Sequence, residues 1–93
     1  MSHPQDDQRC EVLLISAAGG SVSAFAELYD ETAPHAYLLA RERLGDGRAA
    51  EDATQAAYLE VWRSAPGYRG DGHAIEWVLD TVARALAPAA SAD

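Results

Sequence analysis

Apolar residues recur at spacings of three and four along most of the chain, and four stretches carry that period. The first runs from Glu11 to Ala18, with Val12, Leu13 and Ile15 at its apolar positions, and Gly19-Gly20 predicts its C-terminal stop. The second starts at Ser21 or Ser23, either of which suits an N-cap, and continues to about Leu44. Its apolar set is Phe25, Leu28, Tyr29, Ala33, Tyr37, Ala40 and Leu44. Pro34 lies inside that run and predicts a kink or a division into two helices, because proline removes one backbone donor and crowds the preceding turn. Gly45-Asp46-Gly47 reads as a turn. A third helix follows from about Ala49 to Ser64, with Ala50, Ala53, Ala57, Tyr58, Val61 and Trp62 at helical spacing. Pro66-Gly67 stops it, and the glycine-rich stretch to Gly72 predicts an irregular loop. The fourth helix begins near His73 or Ala74, lines Ile75, Val78, Val82 and Leu86 along one side, and is expected to end at Pro88. Nothing alternates with a period of two. The expected fold is therefore all-α, a compact bundle of about four helices over residues 11–87, with a flexible N-terminal segment 1–10 and a disordered tail 88–93.

Ninety-three residues make one domain and leave no room for a second. A chain this short buries only about two-thirds of the surface its unfolded form exposes, so modest stability is expected. Fifteen acids against seven bases give a formal charge of −8. A field of that sign repels phosphate backbones, and nucleic-acid binding depends heavily on Lys and Arg neutralising phosphates. Cys10 is the single cysteine, so no internal disulfide can form. The first eight residues lack a basic stretch followed by an apolar one, and no apolar run reaches membrane-spanning length, so a cytoplasmic protein is expected.

Candidate chemistry is sparse. His3, His35 and His73 are scattered, Cys10 has no partner at ligand spacing, and no metal or other cofactor is expected. Gly19-Gly20 is followed by neither Lys-Ser nor Lys-Thr, which leaves a helix cap in place of a phosphate loop. No nucleophile elbow is present, and the acid pairs Asp6-Asp7, Asp30-Glu31 and Glu51-Asp52 read as solvated helix faces and dipole partners. An enzyme is not expected. The third helix is more informative. Asp52, Gln55, Ala56, Leu59 and Arg63 fall on one side of a helical wheel, with Trp62 near the border, and Ala50, Ala53, Ala57 and Val61 fall on the other. An ordinary amphipathic surface helix would show this pattern. So would a protein-docking face, in which Asp and Gln make directed hydrogen bonds while Leu and Trp supply burial.

Three motifs in order, Phe25-x-x-Leu28-Tyr29, then Ala50-Glu51-Asp52-x-x-Gln55-x-x-Tyr58-Leu59-x-x-Trp62, then Ile75-x-Trp77-Val78-Leu79, resemble the second conserved region of bacterial extracytoplasmic-function (ECF) sigma factors. These are the subunits that direct RNA polymerase to promoters, and the resemblance runs from about Leu13 to Leu86. It implies that the helix matching Ala50 to Trp62 docks on the clamp helices of the polymerase largest subunit, with Asp52, Gln55, Ala56, Leu59, Trp62 and Arg63 on the docking face. It also implies that the loop matching Ser64 to Gly72 and the following helix lie against the promoter −10 element, where a base is captured from the melted strand. Tyr68, Arg69, Trp77 and Arg84 are the residual candidates for that DNA face.

The departures from the family pattern are equally informative. Ala56 stands where the family usually has an acid, and losing such a charge-assisted hydrogen bond weakens docking by roughly 1.5–3 kcal/mol. The end of the fourth helix, normally Arg-rich, keeps Arg84 alone and adds Glu76 and Asp80. The chain ends before any linker or −35-reading domain, so a stand-alone, degenerate form is expected. Three functions stay open. The resemblance implies a transcription-initiation or regulatory protein acting through the RNA polymerase core or an anti-sigma factor, with weak or absent DNA binding. A genuine ECF sigma factor, or a fragment of one, recognising the −10 element is the second. The third is a helical scaffold module with no transcription role. The oligomeric state is left open.

Overall fold

Two polar side chains start the middle helices. Ser21 Oγ accepts a hydrogen bond from the Ala24 amide at 3.1 Å, and Asp46 Oδ2 accepts one from the Ala49 amide at 2.8 Å. Each such cap is worth about 1 kcal/mol, because it satisfies an amide that the helix itself leaves unpaired. Gly45 closes the helix before it in the left-handed conformation, φ 74°, with its amide on the Arg41 carbonyl at 2.8 Å. The computed structural model describes the backbone of residues 4–91 and the side chains of residues 6–86. Four helices follow in order: α1 (Pro4–Ala18), α2 (Val22–Leu44), α3 (Gly47–Ser64) and α4 (Ala74–Ser91), with one 3₁₀ turn, Ala65–Gly67, after α3. No strand is present among the described residues. Helix α2 packs against all three others, so the molecule is a helical bundle as its periodicity implies.

Four sequence expectations need correction. Helix α1 begins at Pro4 and not at Glu11, so residues 4–10 are helical where a flexible segment was expected. Proline in a first turn forfeits no intrahelical bond, and Asp6 and Asp7 complement the helix dipole there. Arg9 then ties this turn to α2, with Nε 3.1 Å from Glu31 Oε1 and Nη2 3.3 Å from Glu27 Oε1. The buried stripe of α1 is Cys10, Leu14 and Ala17, whereas Val12 and Ile15, expected inside, are 63% and 52% exposed. Helix α2 is a single helix through Pro34, which forfeits only the bond to the Asp30 carbonyl while buried Thr32 and Ala36 anchor the chain on either side. Helix α4 continues past Pro88 to Ser91, since a proline this near a helix end removes one bond, to the Arg84 carbonyl. The remaining parts of the expected flexible ends, residues 1–3 and 92–93, lie outside the described residues.

Among the described residues, half of the buried apolar ones are alanines, including Ala36 and Ala40 of α2 and Ala50 and Ala57 of α3. Such small residues let the helix backbones approach closely, and Leu14, Leu28, Val61, Val78, Val82 and Leu86 fill the space between. Every buried hydroxyl among the described residues is satisfied. Thr32, Thr54 and Thr81 each donate to the carbonyl four residues back, at 2.8, 2.7 and 2.8 Å. Tyr58 of α3 donates to Thr32 Oγ1 at 2.5 Å, which bonds the two middle helices inside the core. Its ring meets Tyr29 edge-on at 4.7 Å and Phe25 at 6.3 Å. Arg43 Nη1 reaches the Ala83 carbonyl at 3.0 Å and pins the end of α2 to α4. No helix among the described residues is long and apolar enough to cross a membrane.

Candidate docking and nucleic-acid faces

Burial of Ala50, Thr54, Ala57, Tyr58 and Val61 fixes the rotation of α3, and the opposite side of the helix is thereby turned outward. Asp52, Gln55, Ala56, Leu59 and Arg63 are all exposed, in one row, as the helical wheel implied. Leu59 is 64% exposed, a large apolar side chain left in water beside two polar ones. Asp52 and Gln55 make no side-chain hydrogen bond or ion pair among the described residues, so their polar ends are available to a partner. Trp62 is half-buried at the margin of this row and held by Phe25, ring centroids 5.1 Å apart and edge-to-face. Arg63 forms an exposed pair with Glu60 at 3.2 Å, a contact worth little in water.

Two grooves flank the row. One, about 470 Å³, lies between the end of α1 and α3 and is bordered by Leu59, Trp62, Arg63 and Pro66. The other, about 590 Å³, lies between α3 and α4. Ala56 opens onto this second groove together with Glu60, Ser64 and Arg84. The sequence placed Ala56 and Arg84 on different faces, and the fold brings them to the same one. Arg84 itself is exposed, with only a 3.4 Å contact from Nη2 to Thr81 Oγ1.

The connection from α3 to α4 carries the other candidates. Tyr68 is half-buried, and its ring stands edge-on to Trp77, centroids 5.5 Å apart at 61°. Trp77 is likewise half-buried against the core, and Arg69 is exposed. Sequence reasoning missed the groups that hold this loop. The Tyr68 hydroxyl donates to Glu11 Oε1 of α1, and the Gly72 amide donates to Glu11 Oε2 at 3.3 Å. The His73 amide is shared between Tyr68 Oη at 3.1 Å and Asp71 Oδ1 at 3.2 Å. Asp7 Oδ1 accepts from the Ile75 amide at 3.2 Å and so caps the first turn of α4 from another helix. Burial, and after it the hydrogen bond to Glu11, push the Tyr68 hydroxyl well above its ordinary pKa of 10.0. No local signal announces Glu11, which lies 57 residues from Tyr68. On α4 itself the exposed charges are Glu76, Asp80 and Arg84, so acids outnumber bases on the described part of that helix. No group of three or more His, Cys, Asp or Glu side chains with the arrangement of a metal site occurs among the described residues.

Comparison with known proteins identifies the family of the chain. The ECF RNA polymerase sigma factor SigK of Mycobacterium tuberculosis (strain H37Rv) is 39% identical over 77 residues, covering 82% of this chain and 41% of its own length. SigK of Mycolicibacterium vanbaalenii is 40% identical over 70 residues, covering 74% of this chain and 36% of its own. SigK of Mycobacterium sp. (strain KMS) is 41% identical over 70 residues, with the same coverage of 74% and 36%. The chain thus spans about two-fifths of the length of the curated relatives it matches. No solved structure matches the chain significantly. The family model for Sigma-70 region 2 matches residues 28–87, which take in α2 from Leu28 onward, α3, the loop and α4 up to residue 87, and the chain belongs to that family.

Proposed function

We propose that this chain acts in transcription initiation or its regulation by protein contact, docking α3 on the clamp helices of the RNA polymerase largest subunit or on an anti-sigma factor. The observation that carries this reading is the outward row Asp52, Gln55 and Leu59, two polar groups without internal partners beside an apolar one left in water. That combination suits an interface with an apolar centre and directed hydrogen bonds. Ala56 contributes no charge to it, so Gln55 bears more of the polar contact than it would beside an acid. Binding of purified core polymerase to the immobilised protein, followed by biolayer interferometry, tests the reading. Gln55→Ala should weaken binding about tenfold, the equivalent of one hydrogen bond of some 1.4 kcal/mol. Unchanged affinity in the variant would remove the α3 face from the interface.

DNA contact by the isolated chain is, on this reading, weak or absent. Glu76 and Asp80 stand on α4 with Arg84, and Asp71 stands in the loop with Arg69, so phosphates meet as many acids as bases or more. The presence of two aromatic side chains, Tyr68 and Trp77, with the exposed Arg69 on the same loop and helix favours a second reading, contact with the promoter −10 element, since these residue types suit an unstacked base. Fluorescence anisotropy on a single-stranded −10 oligonucleotide separates the two. The first reading expects no saturable binding at moderate salt; the second expects steep salt dependence and loss of binding in Arg84→Ala.

A further inference from the structure

The contacts between α1 and the α3–α4 loop converge on one side chain. Glu11 receives the Tyr68 hydroxyl on one carboxylate oxygen and the Gly72 amide on the other. The loop backbone lies directly against it, because a Cβ on Gly70 would come within 3.6 Å of Glu11 Oε2 and 3.8 Å of Ile15 Cδ1. Gly70 and Gly72 both have positive φ, 71° and 88°, the conformation that lets so short a loop fold back onto the helix.

In this closed arrangement the aromatic pair is engaged with itself. Rings 5.5 Å apart and inclined at 61° leave no slot for a base, which between parallel rings needs roughly twice the ~3.4 Å rise of stacked nucleotides. The cleft on the open side of Trp77 is only about 160 Å³ and is lined by Asp71, Glu76 and Asp80, three carboxylates that repel phosphate. Yet Tyr68, Trp77 and the exposed Arg69 are the residue types that hold single strands, aromatic faces for stacking and a cation for the backbone. The closure rests on hydrogen bonds at a glycine-rich surface loop, a kind of contact that opens at far lower free energy than the core.

We propose that Glu11 is a positioning residue that holds the α3–α4 loop shut against α1, and that single-stranded nucleic acid stacks on Tyr68 and Trp77 only when this contact opens. The inference rests on the reading of the loop and α4 as the side turned toward nucleic acid, and it supplies an internal cause for weak binding there. It is independent of the α3 docking face.

The test pairs Glu11→Ala with amide hydrogen exchange by NMR and with anisotropy on a short single-stranded −10 oligonucleotide at low salt. Exchange at Gly72 and His73 should accelerate about tenfold on loss of the Glu11 bonds, while Val78 and Val82 in the core keep their protection. Oligonucleotide affinity should rise several-fold, and adding Tyr68→Leu should abolish the gain. Glu11→Gln guards against a folding defect. It keeps an acceptor for Tyr68 but places an amide group where the Gly72 amide needs an acceptor, so it should give a smaller gain in the same direction. Unchanged exchange at Gly72 and His73 would overturn the proposal, as would faster exchange with no gain in binding. Capture of core polymerase should be unaffected by Glu11→Ala, so a failure here leaves the docking reading untouched, and the reverse.

Discussion

Replacing Tyr58 with alanine is expected to lower the stability of the domain by about 3–5 kcal/mol, seen as a large fall in the urea midpoint. Domains of this size have on the order of 5–14 kcal/mol in all, so the variant should stand close to unfolding at 25 °C. Tyr58 is 2% exposed and joins the two middle helices in two ways, through its ring against Tyr29 and Phe25 and through its hydroxyl on Thr32. Tyr58→Phe separates them. It keeps the ring, and Thr32 Oγ1 still donates to the Leu28 carbonyl, so its cost should stay near 1 kcal/mol. Equal midpoints for the two variants would show that the ring contributes nothing beyond the hydrogen bond.

The second large effect is alkaline unfolding. Burial pushes the Cys10 thiol from its ordinary 9.0 up to about 11, with Glu31, Asp7 and Asp6 adding to the rise. Burial likewise pushes the Tyr58 hydroxyl from 10.0 up to about 12. Both groups are held neutral in the folded protein at a pH where the unfolded chain has lost their protons. The stability they support is therefore complete below pH 9 and falls as pH rises through 9–11 for Cys10 and 10–12 for Tyr58. At about 1.4 kcal/mol per unit, the two together amount to roughly 5 kcal/mol. Urea denaturation at pH 8, 9.5 and 10.5, well buffered, should show a progressively lower midpoint, and Cys10→Ser should flatten the first part of that decline. A midpoint constant across this range would show that neither group is held protonated by the fold.

Much of the fold is legible in the sequence because α2, α3 and α4 each carry a continuous apolar stripe between strong punctuation marks. Ser21 then caps α2 as a local reading implies, and the turn read at Gly45-Asp46-Gly47 supplies the C-cap of α2 and the N-cap of α3. Helix α1 was less legible. Its apolar cluster Val12, Leu13, Ile15 draws attention away from the true stripe, Cys10, Leu14 and Ala17, whose small members have weak hydrophobic signals. What carries the helix back to Pro4 is partly tertiary, since Arg9 finds its acids on α2 and Asp7 its amide at Ile75. The division of α2 at Pro34 and the stop at Pro88, both open to a local reading, fail for a related reason. A proline forfeits one bond, and whether that breaks a helix depends on neighbours that the local sequence does not reveal. On the candidate site, the exposure of Asp52, Gln55, Ala56, Leu59 and Arg63 follows from periodicity alone. The closing of the loop by Glu11 does not, because nothing in the sequence links a carboxylate on one helix to a tyrosine 57 positions further on, in a distant loop.

The alanine-rich interior has a thermal consequence. The heat capacity released on unfolding scales with apolar area exposed, at about 0.45 cal/K/mol per Å². An alanine buries a single methyl group where a leucine buries four carbons, so a core half built of alanine exposes less on opening. A smaller heat-capacity change flattens the curve of stability against temperature. A calorimetric scan of this domain is accordingly expected to give a heat-capacity change per residue below the usual ~12–15 cal/mol/K, and with it a shallow response to cold as well as to heat.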